Sequence, residues 1–138
     1  MPERSHFVIL HHRLKGGEHW DLMLEHGDLL LTWQLEREPT DSAALPIPAR
    51  RIGDHRKVYL TYEGPVSGDR GEVRRVDAGE VNIIAATHSC VLFELRQGRL
   101  RGRFQLVSAG EDWRLEADKT AEVDQDRAPA PCKRGTTR

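Results

Sequence analysis

His19 and Asp21 flank Trp20, and His11 and His12 stand a short glycine-containing stretch upstream. In an extended strand successive side chains point to opposite sides, so His19 and Asp21 share one face. Trp20, Leu22 and Leu24 take the other face, towards a core. A nitrogen from His12 or His11 would complete a two-histidine, one-carboxylate set. That set suits a divalent transition metal with open coordination positions.

A His-x-Asp pair on a strand also describes two solvated side chains, so the motif alone is weakly specific. Further residues add to it. Asp54-His55 precede the alternating segment Lys57–Tyr62, in which His55 would share the outward side with Tyr59. Together with His12, His19 and Asp21 they make an outward set rich in imidazole, carboxylate and phenol. Such a set can bind a metal, hold a phosphate and move a proton.

The elements that must position these residues read as short strands with little helix. Phe7–Leu10 is an apolar run followed by a loop over His11–Glu18. Trp20–Leu24 alternates, and His26-Gly27-Asp28 supplies turn chemistry before Leu29–Leu35, predicting a hairpin. Glu36–Ala49, with Pro39, Pro46 and Pro48, reads as a loop. Lys57–Tyr62 reads as a strand with Val58, Leu60 and Tyr62 inward, and Gly64–Gly71 as a turn-rich loop. Val73–Asp77 and Val81–Ala85 are weaker strand candidates. Val91–Leu95 and Leu100–Val107, joined across Gln97-Gly98, form a second hairpin, and Trp113–Leu115 could close the sheet. This pattern predicts an all-β, mainly antiparallel barrel or sandwich over residues 1–116. Residues 117–138 turn polar, with an Ala-Pro-Ala-Pro stretch, and are expected to be a disordered tail.

With 138 residues the chain is one domain, large enough for a single core. Charged residues make up 31% and the formal net charge is −1, so the overall balance selects no partner. Local patches differ: Arg96, Arg99, Arg101 and Arg103 cluster, and Arg74-Arg75 form a pair. Cys90 and Cys132 are too few for a disulfide framework and lack metal-motif spacing. Nothing approaches the roughly 18 apolar residues that span a bilayer. The opening Met1-Pro2-Glu3-Arg4-Ser5 carries no apolar signal region, so a cytoplasmic location and no membrane partner are expected.

Several segments together carry a family resemblance. His19-Trp20-Asp21-Leu22-Met23-Leu24-Glu25, followed by Leu31-Thr32-Trp33, resembles the central motif of the 3′-phosphoesterase domain of bacterial ATP-dependent DNA ligase D. That motif runs His, any five, His-Tyr-Asp-Phe-Arg-Leu-Glu, then Leu-Ser-Trp. Asp54-His55-Arg56-Lys57-Val58-Tyr59 with Tyr62-Glu63-Gly64 is similar to the family's Asp-His-Pro-Leu-x-Tyr segment and its Phe-Glu-Gly. Leu92–Leu95 with Gly98–Gly102 resembles its late hairpin. The likeness runs in matching order from about Phe7 to Leu115. It implies a compact β-barrel and a manganese-dependent enzyme that trims ribonucleotides and phosphates from DNA 3′ ends during end joining.

Carried over position by position, the resemblance makes His19 and Asp21 metal ligands. His12 becomes the first ligand if one extra residue is allowed in the loop, since strict spacing lands on Arg13. Manganese is implied, with zinc or another divalent transition metal as alternatives. His55 matches the histidine that contacts phosphate, Tyr59 the neighbouring tyrosine, and Arg37 the position of an active-site lysine. Met23 stands where the family has an arginine, and it supplies neither charge nor hydrogen bonds. Ile47 stands where a second phosphate-binding arginine is expected, with Arg50 or Arg51 as substitutes if the loop is shorter. Arg99, Arg101 and Arg103 would form one alternating stripe, either a DNA-backbone contact or a solvated strand face.

The expected function is therefore a metal-dependent phosphoesterase acting on DNA or DNA/RNA 3′ ends, working with end-joining or other repair proteins. The alternatives are a catalytically weakened nucleic-acid-binding module, which Met23 and Ile47 would explain, and a small-molecule phosphoesterase on the same scaffold.

Overall fold

A computed structural model describes residues 4–40 and 44–118. It contains nine strands: β1 Ser5–Leu14, β2 Gly17–His26, β3 Leu29–Leu35, β4 Ile47–Arg56, β5 Gly64–Pro65, β6 Glu72–Thr87, β7 Cys90–Arg96, β8 Gly102–Ala109 and β9 Asp112–Ala117. The sheet order is β1-β2-β3-β4-β9-β8-β7-β6-β5, and β1 also pairs with β6. All pairings are antiparallel, and the β1–β6 ladder closes eight strands into a barrel. The expected barrel is present, and Trp113–Leu115 closes it by bridging β4 and β8.

Period-two alternation divides the apolar residues between two cores. Phe7, Ile9, Leu22, Leu24, Trp33, Leu35, Phe93, Phe104 and Leu106 point inward and fill the barrel. Their alternates Val8, Leu10, Met23, Leu30 and Val73 form a second core on the outer face. Tyr59, Leu60, Tyr62 and Val66, from the segment after β4, pack over it. This outer layer matters for function, because it holds the chemistry-bearing side chains.

Several predicted elements change. The expected loop over His11–Glu18 is a tight hairpin: β1 runs to Leu14 and β2 starts at Gly17. Lys57–Tyr62 is not a strand but begins with a 3-10 helix over Lys57–Leu60, and Val58 is exposed. The reason is a missing partner. Arg56 pairs with Leu29, the first residue of β3, so the chain beyond it has no neighbouring strand to complete its ladder.

The proline-rich stretch expected as loop to Ala49 enters β4 already at Ile47. Pro48 sits at the strand's opening, where its missing N–H is tolerated and its carbonyl accepts the N–H of Glu36 at 3.2 Å. The two weak strand candidates around Gly79 are one continuous β6. A Cβ at Gly79 would overlap the carbonyl oxygen of Arg96, so glycine marks close backbone passage there and not a turn.

Ala117 belongs to β9 and the N–H of Asp118 donates to Arg103 O at 2.9 Å, so the ordered domain passes the expected boundary at 116. Residues 119–138 of the expected tail lie outside the described residues. Among the described residues no helix is long and apolar enough to cross a membrane.

Candidate active site

The β1–β2 hairpin sets His12 directly opposite His19. Asp21 lies two residues along β2, on the same outer face. His12 Nδ1 stands 3.1 Å from His19 Nε2, His19 Nε2 is 3.1 Å from Asp21 Oδ1, and His12 Nδ1 is 3.6 Å from Asp21 Oδ2. Donor atoms sharing a cation at ~2.1 Å, with angles of 90–110°, stand roughly 3.0–3.4 Å apart. The three side chains thus form a set that could hold a metal ion.

Proton accounting supports that fit. His12 Nε2 faces the carbonyl oxygen of Arg70 at 2.7 Å, and a carbonyl only accepts. As a neutral imidazole His12 therefore carries its proton on Nε2 and turns a bare lone pair on Nδ1 towards His19. A proton on His19 Nε2 can serve that lone pair but not Asp21 as well. Asp21 Oδ1 is accordingly buried without a hydrogen-bond partner, in a residue only 4% exposed. A cation in place of that proton satisfies all three acceptors. The backbone carbonyl behind His12 is the kind of outer partner that fixes a ligand imidazole's tautomer and orientation.

His11 resolves differently. It follows Phe7 and Ile9 on the inward row, stacks on Trp20 at 4.7 Å with an 11° interplanar angle, and binds Glu18 through Nε2 at 2.7 Å. Of the two candidate histidines, His12 joins the cluster.

His55 approaches the same outer face from the end of β4. Its Nδ1 lies 3.0 Å from Thr32 Oγ1, and the Thr32 hydroxyl donates to Leu30 O at 3.0 Å. With its proton committed to Leu30, Thr32 accepts from His55, so Nδ1 carries the hydrogen and Nε2 is free to face a ligand. Tyr59 packs edge-on against His55 at 5.4 Å and against Tyr62 at 5.7 Å. The predicted His55–Tyr59 neighbourhood is therefore present, although a 3-10 helix and not a strand delivers it.

That helix is tethered by Lys57, which pairs with Glu25 at 2.9 Å. Burial raises the Glu25 pKa. The Lys57 hydrogen bond and charge and the backbone N–H of His6 outweigh it, leaving the carboxyl below its ordinary value. Glu25 thus anchors the helix. Thr32 was missed by sequence reasoning. Its available signal was its place on the face opposite Trp33, paired with Met23.

Other predicted residues are placed elsewhere. Arg37 turns back on its own loop, donating to Ala44 O at 3.3 Å and Pro46 O at 2.8 Å. Arg51 pairs with Trp33 in register and so faces inward; its guanidinium lies 4.5 Å over the Trp33 ring, near Asp54 at 3.7 Å. Arg50, next to it, takes the outer face. Arg99 and Arg101 lie in the β7–β8 connection and only Arg103 lies on β8, so the three do not make one strand stripe. Arg99 contacts Val76 O at 3.4 Å and Arg101 donates to Gly98 O at 2.7 Å. Alternation fails there because Asp77 accepts the N–H groups of Arg99 and Leu100, holding that segment as a loop against β6.

Met23 occupies the outer face as expected, but it is 1% exposed and enclosed by Val8, Leu10, Leu30 and Val73. Ile47 is fully buried in the barrel core. Neither position presents a side chain to solvent.

The DNA ligase D 3′-phosphoesterase domain family matches residues 10–108, a span that contains the whole cluster. The chain belongs to that family. Relatives include the multifunctional non-homologous end joining protein LigD of Mycobacterium bovis, 29% identical over 128 residues. The corresponding DNA repair protein LigD of Mycobacterium tuberculosis is also 29% identical over 128 residues. Each alignment covers 85% of this chain and 17% of the relative, so the chain spans under a fifth of the length of these proteins.

Proposed function

We propose that this 3′-phosphoesterase-family domain is a metal-dependent phosphoesterase acting on DNA or DNA/RNA 3′ ends, removing a 3′-phosphate or 3′-ribonucleotide in end repair. Its partners would be those ends and the other proteins of end joining. The observation that carries the reading is the convergence of His12, His19 and Asp21 around an orphaned carboxylate oxygen.

Those three residues would hold manganese or zinc, which would supply positive charge to phosphoryl oxygens and lower the pKa of water. His55, oriented by Thr32, in its charged form donates its Nε2–H to a phosphate oxygen. It gives that proton to the leaving oxygen as the phosphorus–oxygen bond breaks and water adds to phosphorus. Tyr59 limits the imidazole's swing by edge contact and offers a hydroxyl beside it.

The test is direct. Purified protein with manganese should remove a 3′-phosphate or 3′-ribonucleotide from a primer–template, and His19→Ala and Asp21→Ala should abolish both turnover and calorimetric metal binding. Absence of metal binding sensitive to His19→Ala would refute the metal assignment.

Burial of Met23 favours one second reading, a nucleic-acid-binding module weakened in catalysis. On that reading the protein binds DNA ends and manganese but shows no turnover on any phosphomonoester or phosphodiester.

A further inference from the structure

A third apolar cluster lies on the outer face of the barrel, formed by Cys90 and Leu92 of β7 with Ile84, Ala85 and Val107 packed against them. Alternation sends Val91, Phe93 and Leu95 inward, so Cys90 and Leu92 point outward. Yet each is only 3% exposed. Their apolar neighbours belong to the flanking strands β6 and β8. Flanking strands shield an outward side chain from the sides and leave its tip to solvent. Burial this complete requires chain above the face.

The described segments outside the strands are packed elsewhere. Ala44 and Leu45 lie against the barrel core, and Tyr59–Tyr62 with Val66 cover the core around Met23. Gln105, opposite Leu92 on β8, is 5% exposed, and its amide donates to Glu116 Oε1 at 3.1 Å. Gln105 Oε1 is buried with no hydrogen-bond partner, an acceptor held at a covered face.

Two observations name the cover. Cys90 is disulfide-bonded, and the one other cysteine of the chain is Cys132. The described chain also reaches the edge of this face, where the N–H of Asp118 donates to Arg103 O. From Asp118 to Cys90 is two strands across and four positions along, roughly 16 Å at ordinary strand spacing. Residues 119–132 extended would reach ~45 Å, so they can cross the face with slack. They carry Ala121, Val123 and Ala128-Pro129-Ala130-Pro131, small apolar side chains suited to a shallow apolar face.

We propose that residues 119–138 dock on the outer face of β7 and β8 and that a Cys90–Cys132 disulfide fastens them there as a redox-controlled latch. The oxidant is a small-molecule disulfide such as oxidised glutathione. The Cys132 thiolate attacks it and releases one glutathione. The Cys90 thiolate then attacks the Cys132 sulfur and releases the second. One disulfide forms, one is broken, and the two protons lost from the cysteines are taken up by the two glutathiones. The latch is independent of the phosphoesterase reading.

The test uses the full chain equilibrated with oxidised glutathione, and Cys132→Ser as its open counterpart. Unreduced peptide mapping by mass spectrometry should find Cys90 linked to Cys132 within a monomer. Two free thiols, glutathione retained on Cys90, or a link between two copies would each overturn the latch. Docking is read from trypsin cleavage after Arg127, which should be about tenfold or more slower in the oxidised protein than in Cys132→Ser or after reduction. Equal rates would overturn it. Val107→Lys, with Ile84→Lys as a second variant, puts a charge on the face and should keep the disulfide while losing most of that protection. Full protection in both would overturn this face as the docking surface.

Discussion

Gly71→Ala should loosen the His12–His19–Asp21 cluster without touching any of its side chains. Gly71 has φ +83°, and a Cβ built there would overlap the carbonyl oxygen of Arg13 and lie 3.0 Å from its carbon. Both obstacles are backbone, so no side-chain rotation relieves them. The preceding residue, Arg70, supplies the carbonyl that holds His12 Nε2 at 2.7 Å. Left-handed strain for a non-glycine residue costs of order 1–3 kcal/mol. The His12–Arg70 hydrogen bond contributes about 1 kcal/mol more. The sum is a loss of about 2–4 kcal/mol, read from urea unfolding. Displacing an outer partner of a ligand histidine typically weakens metal binding by about 10–100-fold, read by manganese calorimetry on the folded protein. Arg70→Ala is the control: it removes the side chain, keeps the carbonyl, and should bind metal like the wild type. A Gly71→Ala protein with wild-type metal affinity would refute the role assigned to the Arg70 carbonyl.

Thr32→Val removes the acceptor that fixes His55 Nδ1, and should lower kcat about tenfold or more while Thr32→Ser restores it; unchanged kcat would dismiss the Thr32 relay. Met23→Arg should not restore a phosphate contact. It places a guanidinium among Val8, Leu10, Leu30 and Val73, and is expected to destabilise by about 3–5 kcal/mol in urea unfolding. Glu25 bears on acid stability. Its carboxyl is held below the ordinary value of 4.5, so its stabilising share is complete above that pH and is lost as pH falls through the lowered value. Glu25→Gln should therefore be less stable than wild type near neutrality, with the difference shrinking in acid; equal stability at both pH values would count against the Lys57 tether.

Much of the site's composition was legible from residue type and spacing. His19 and Asp21 share a face because alternation is a property of one strand, and Trp20, Leu22 and Leu24 oppose them for the same reason. What alternation could not decide was the choice between His11 and His12. They lie on opposite faces of β1, and only the hairpin register, which sets His12 against His19, selects one. The same holds for Arg50 and Arg51, where a one-residue difference reverses the face. The segment after His55 alternates like a strand, yet it lacks a partner and curls into a 3-10 turn.

Met23 illustrates the boundary most clearly. Its identity declares the absence of a positive charge, and that much is local. Its burial beneath the 3-10 helix and the loop that follows is a consequence of where distant segments pack. By itself the sequence determined the faces of the strands, the order of the motifs and the ligand types available to a metal. Tertiary structure decided which of those residues meet. Side-chain alternation is written into neighbouring positions, whereas strand pairing, barrel closure and the covering of an outer face depend on contacts between residues far apart in the chain.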